Sequence, residues 1–273
     1  MVSLFPPSGP SLPPFRSLLI SGPYHPSAPV HLLLSFIRRE ATTRAILLSP
    51  SRSSLRAALV DQNEDWLNTQ GSHGSVFSCA SRCEILYPPS PAHLVALLSM
   101  LHEYNGTYHH PKTTLPAAPS LLVLHEVSAL LTESSTVSTY LTLITHAMSA
   151  VRSWAAQSST PILLAVFDTA LLDLRLPIIR IPNHEMNPLE AANTASERTE
   201  SVLFLAEKYF DWSGRAEEEK NLSSSLPEAS SSIIPRLQRQ LSMRRPRYRD
   251  HAEITWKWAE ERREVKDTIF LFS

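Results

Sequence analysis

The chain has 273 residues and a mass of 30.5 kDa, which is one large domain or two small ones. It is 43% hydrophobic, 19% charged and carries a net charge of -1, so a sizeable core is available and no global field steers the chain to nucleic acid or membrane. The 22 prolines against 6 glycines leave few Gly-rich ligand loops, and two cysteines, Cys79 and Cys83, exclude a secreted disulfide framework.

Residues 1–15, MVSLFPPSGPSLPPF, read as a Pro-rich tail. They lack the basic region and unbroken apolar run of a signal peptide. No apolar run reaches the ~20 residues of a membrane helix, so a soluble, intracellular protein with no membrane partner is expected. Residues 18–21 predict a strand, and residues 30–39 a helix with Val30, Leu33, Leu34 and Ile37 on one face. A second strand at 45–48 is followed by a helix over 55–67, a turn at NTQGSHGS and a third strand at 83–87. Ser90-Pro91 opens a helix with an N-cap residue and proline at its first position. After a loop, residues 121–124 and 162–167 are fully apolar strands flanking a long helix over 137–156, and a further helix follows near 202–209. Apolar strands alternating with amphipathic helices predict βα units around a parallel sheet covered on both faces. Residues 213–232, rich in Ser and Glu, read as a mobile loop; residues 235–249 are basic; residues 250–273 read as a terminal hairpin.

The stretch LLISGPYHPSAPVHLLLSFIRRE, residues 18–40, has the strand–turn–helix layout of a phosphate-binding P-loop, G-x-x-x-x-G-K-[ST]. Gly22 opens the turn, but Ser27, Ala28 and Pro29 stand at the second Gly, the Lys and the Ser/Thr. Pro23, Pro26 and Pro29 offer no N–H, Ala28 no cation and Pro29 no hydroxyl for Mg²⁺. His25 could supply a donor, or be an ordinary exposed loop histidine. The strand SLLVLHEV ends in His125 and Glu126 where an Mg²⁺-supporting Asp is usual; imidazole is a poor partner for hydrated Mg²⁺, while Glu126 could polarise a water. Neither a metal site nor a hydrolase triad is expected. Cys79 and Cys83 have no second Cys pair, and no G-x-S-x-G is present. Arg236, Arg239, Arg244, Arg245, Arg247 and Arg249 form a basic run suited to the phosphate backbone of single-stranded DNA, or to a solvated loop or nuclear-import signal.

The run YPPSPAHLVALLSMLHEY, then APSLLVLHEVSALL, with FLAEKYFDW and the Trp-rich terminal hairpin, resembles the RecA-like partner of SWIM-domain proteins in Shu-type recombination complexes. These are shortened, divergent paralogues of the eukaryotic RecA-type recombinase. The resemblance runs through most of residues 16–273 and is most specific over the YPPS and LLVLHE segments. It implies a single RecA-like (P-loop NTPase-type) α/β domain with a C-terminal hairpin. It also implies a nuclear adaptor in homologous recombination and DNA repair; the degenerate P-loop and strand-end residues predict that it is non-catalytic and takes no ATP or Mg²⁺. Its partners would be a SWIM-domain protein, a RecA-type recombinase and single-stranded DNA. The family pattern puts the P-loop Lys at Ala28, the Ser/Thr at Pro29 and the Asp at His125, and none is present. Phe77 and Ala80 have the F-x-x-A form by which recombinase protomers and mediators meet. Trp256, Trp258, Phe270 and Phe272 either extend a sheet to a partner or complete the core. Two other readings stand beside the adaptor: an atypical nucleotide hydrolase built on Gly22, His25 and Glu126, and a scaffold unrelated to DNA.

Overall fold

The computed structural model describes residues 1–104, 106, 110–111, 113–158, 161–178, 198–219, 236–246, 253–262 and 267–272. In chain order the first half contains β1 (Ser17–Ser21), α1 (Ala28–Ile37), β2 (Ala45–Leu48), α2 (Arg52–Asp61), α3 (Asp65–Gln70), α4 (Gly74–Ala80), β3 (Cys83–Leu86), α5 (Pro91–Met100), β4 (His102–Glu103) and β5 (Thr114–Leu115). Then come β6 (Leu121–His125), α6 (Val137–Gln157), β7 (Leu163–Asp168), β8 (Arg175–Pro177), β9 (Thr199–Ser201), α7 (Val202–Ala206), β10 (Trp212–Glu218), β11 (Arg236–Arg244), β12 (Ile254–Arg262) and β13 (Thr268–Phe272).

Nine strands form one sheet in the order β13–β12–β11–β10–β1–β7–β6–β2–β3. Every neighbouring pair from β10 to β3 is parallel, and β11, β12 and β13 continue the sheet antiparallel. The central strands are apolar throughout because both faces are covered. Leu18 and Ile20 point into a core shared with α1 and the hairpin, while Leu19 points into the core shared with α5, α6 and α7. The α6 helix starts at a capping box in which Thr136 and Thr139 exchange side-chain-to-backbone bonds. It buries Tyr140, Leu143, Ile144, Ala147, Val151 and Trp154 at helical spacing. Among the described residues no helix is long and apolar enough to cross a membrane.

The long strands, most helices and the terminal hairpin follow the sequence reading; α4 and the short strand pairs β4–β5 and β8–β9 were not expected, and four further differences stand out. The expected helix over 55–67 is two helices, because Glu64 is drawn inward by His31 and caps a new helix at the backbone N–H of Trp66 and Leu67. The buried face of α1 is Leu32, Leu33, Phe36 and Ile37, whereas Val30 and Leu34 are half-buried. The Pro-rich tail is packed: Leu4 and Phe5 are buried, and the Phe5 ring meets Trp258, Phe270 and Phe272 edge-on at 4.9, 6.0 and 5.1 Å. Residues 212–218 and 236–244, read as loop and basic loop, are sheet strands. Gly214 and Ala216 occupy inward positions of β10; a Cβ on Gly214 would stand 2.6 Å from Ile20, so this strand hides its pattern by being small where it is buried. The Ser/Glu-rich stretch beyond residue 219 lies outside the described residues.

Candidate functional site

In open α/β sheets ligands sit beyond the carboxyl ends of the strands. Ser21 is level with Asp168, and His125 with Phe167, so β1, β7 and β6 end together. The residues read as a degenerate nucleotide site, Gly22, His25, Ser27, Ala28 and Pro29 with His125 and Glu126, are brought to this one edge.

The turn itself is closed by its own atoms. Gly22 sits at φ +86°, and a Cβ there would lie 2.2 Å from the Ala216 carbonyl oxygen, so the backbone requires glycine. The Tyr24 N–H donates to the Gly22 carbonyl and the Ala28 N–H to the His25 carbonyl. The Ser27 N–H donates to Nδ1 of His25 at 3.2 Å, and the Ser27 hydroxyl lies 2.7 Å from the same nitrogen. Nε2 of His25 faces the Gln62 carbonyl at 3.2 Å, which fixes the neutral tautomer with its proton on Nε2. Burial, with the positive charge of Arg239, pushes His25 down to about 3, so it supplies no cation at neutral pH. Ser27, Ala28 and Pro29 are all buried.

The polarity of the loop is also inverted. A phosphate loop points N–H groups at an anion. Here the Pro23 carbonyl accepts from Nη1 of Arg239, a guanidinium delivered from β11. Arg239 is 4% exposed and is held by Glu260 at 3.0 Å and Glu218 at 3.4 Å. Trp258 in turn donates its indole N–H to Glu260 at 3.0 Å. The turn is thus a cation acceptor inside the fold.

The acids at the neighbouring strand ends are equally committed. Glu126, the only non-glycine described with positive φ (52°), accepts from the Tyr24 hydroxyl at 2.5 Å and the Thr169 hydroxyl at 2.8 Å. The Thr169 N–H adds bonds of 3.2 Å to both carboxylate oxygens. Asp168, fully buried, accepts from the Ser128 N–H (2.8 Å), the Ser128 hydroxyl (2.5 Å) and the Tyr140 hydroxyl (3.2 Å). Burial pushes Asp168 up to about 6, and the Glu126 charge adds to the rise. His125 lies beside Ser49 at 3.0 Å and is lowered by burial, which keeps its imidazole neutral. Among the described residues no group of three or more His, Cys, Asp or Glu is arranged to hold a metal ion. Sequence reasoning missed Tyr24, Ser128, Tyr140, Asp168 and Thr169. Asp168 alone carried a readable signal, an acid at the end of a wholly apolar strand.

The arginines of the basic run do not converge. Arg239 is internal, as above. Arg244 pairs with Glu207 at 2.7 Å, and Arg245 stacks 4.8 Å from the Trp212 ring centroid. Arg236 is exposed opposite Glu261, while Arg247 and Arg249 lie outside the described residues. Phe77 and Ala80 are both exposed on α4, Phe77 at 69%, three residues apart and so on one helical face. Trp256, Trp258, Phe270 and Phe272 belong to the core shared with Phe5 and α1. No family model and no curated protein matches the chain.

Proposed function

We propose that the chain is a non-catalytic, RecA-like binding module that serves as a nuclear adaptor in homologous recombination, pairing with a SWIM-domain protein and helping a RecA-type recombinase assemble on single-stranded DNA. The observation that carries the non-catalytic part is the guanidinium of Arg239 seated on the Pro23 carbonyl, where a nucleotide loop would need free N–H groups. Support for the fold assignment comes from the strand–turn–helix of β1 and α1, with the β6 end two strands away in a sheet that continues into antiparallel strands. Support for the partner comes from the YPPS and LLVLHE resemblance and from Phe77 and Ala80 standing exposed on one face. Arg239 and Arg244 are tied to acids, so protein contact ranks ahead of DNA contact in this reading.

The test is purification of the tagged protein from its own cells in nuclease and moderately high salt, which removes DNA-bridged bystanders, with identification of partners by mass spectrometry. A SWIM-domain protein or a RecA-type recombinase should be recovered. Phe77→Glu should lower recombinase recovery at least tenfold, since a buried interface aromatic carries about 1.4 kcal/mol or more. The same change should alter stability by no more than about 0.5 kcal/mol, because Phe77 is exposed in the free chain. Recovery of unrelated metabolic or cytoskeletal partners alone would contradict the adaptor role.

A further inference from the structure

A cavity of about 410 Å³ lies away from the strand ends, between the N-terminal segment, α1, α3 and α4. That volume falls in the range of small-molecule sites, about 300–1,000 Å³. Its apolar lining includes Phe5, Leu34, Trp66 and Val76. Two of its polar lining groups are already engaged: the Ser3 and Ser35 hydroxyls bond to backbone carbonyls of Pro10, Ser3 and Leu32. These two hydroxyls are closed to an occupant, and the apolar lining calls for an apolar body.

Two features add polarity at defined places. His31 lines the cavity and is 2% exposed; its Nε2 is bound to Glu64 Oε2 at 2.9 Å and its ring lies 5.4 Å from that of Trp66. Nε2–H donates to that carboxylate, and Nδ1 has no hydrogen-bond partner among the described residues. Arg38 and Arg39, just past the end of α1, also line the cavity, are exposed, and have no side-chain partner among the described residues. Among the described residues no fully buried side-chain nitrogen or oxygen lacks a partner, so Nδ1 opens onto the cavity, where water can meet it and an occupant must replace that hydrogen bond.

We propose that this cavity is a binding site for a small aromatic molecule carrying one anionic group. The aromatic body packs against Trp66, Leu34 and Val76, a polar atom on it meets Nδ1 of His31, and the anion pairs with Arg38 and Arg39 at the rim. Neither the nucleotide-like turn nor the Phe77 face contributes, so the site is independent of the proposed adaptor role.

The probe is 8-anilinonaphthalene-1-sulfonate, an aromatic sulfonate whose fluorescence rises in apolar surroundings, titrated into the whole folded chain. One saturable site per chain is expected. Val76→Trp, which fills the cavity, should weaken binding at least tenfold. Arg38→Glu with Arg39→Glu, both exposed and safe for folding, should weaken it several-fold, whereas Arg52→Glu with Arg56→Glu, the same charge change on α2, should not. Binding unchanged by the Arg38 and Arg39 changes, or equally weakened by the α2 changes, would overturn the proposal, as would uptake at many sites without saturation.

Discussion

Replacing Arg239 by alanine should destabilise the fold by about 3–5 kcal/mol, the range for removing one partner of a buried ion pair. Arg239 and Glu260 are 4% and 6% exposed, and the loss leaves a buried carboxylate, a Pro23 carbonyl without its donor and a hole beside Trp258. Urea unfolding of the variant against the parent measures it. The doubly apolar variant Arg239→Met with Glu260→Leu should regain part of the loss, because it removes both charges and keeps the volume but leaves the Pro23 carbonyl and the Trp258 indole N–H without partners. By contrast Arg244 is 55% exposed although its partner Glu207 is only 9% exposed, and Arg244→Ala, which lets water take the place of the guanidinium, should cost less than Arg239→Ala. A cost below 1 kcal/mol for Arg239→Ala would mean that the guanidinium does not hold the turn closed.

Asp168→Asn should make the protein more stable at neutral pH, by about 3 kcal/mol at most. In the fold Asp168 binds its proton up to about pH 6, against 3.8 for the free side chain, a rise that corresponds to about 3 kcal/mol. A carboxyl whose pKa is raised by folding contributes stability that is complete below the unfolded value and is lost as pH rises through the folded one. The parent therefore loses this contribution between about pH 4 and 6, and the asparagine variant does not. An asparagine can still accept from the Ser128 N–H and Tyr140 hydroxyl and donate to the Ser128 hydroxyl. Unfolding free energies of both proteins from pH 4 to 7.5 check it: the difference should grow in favour of the variant across this window. A constant difference would show that the carboxyl is not buried in its charged form.

The parallel half of the fold was legible because its strands are covered on both faces and so are apolar without interruption, as in LLI, AILL, LLVL and LLAVF. The antiparallel half was legible only at the terminal hairpin. β10 escaped because its inner positions are Gly214 and Ala216, and β11 because an inner position is Arg239, made burial-compatible by acids on other strands. The tail escaped because its prolines mask two anchoring residues, Leu4 and Phe5. At the strand ends the sequence told which chemistry is missing, through Ala28, Pro29 and His125. It did not tell what fills the place, since Arg239 is 216 residues from Pro23. Such long-range pairs leave no local spacing to read.

The β1–α1 turn is closed by the protein's own groups, and the proposal built on this is that it holds no nucleotide. The measurement that meets it most directly is the thermal unfolding midpoint of the purified chain with and without millimolar ATP and Mg²⁺. A ligand that binds only the folded state at 100 times its Kd stabilises by about 2.7 kcal/mol, which at about 2–4 °C per kcal/mol moves the midpoint by several degrees. The account predicts no shift. A concentration-dependent rise of several degrees that Gly22 and Glu126 substitutions abolish would contradict it and put a nucleotide site back at the end of β1.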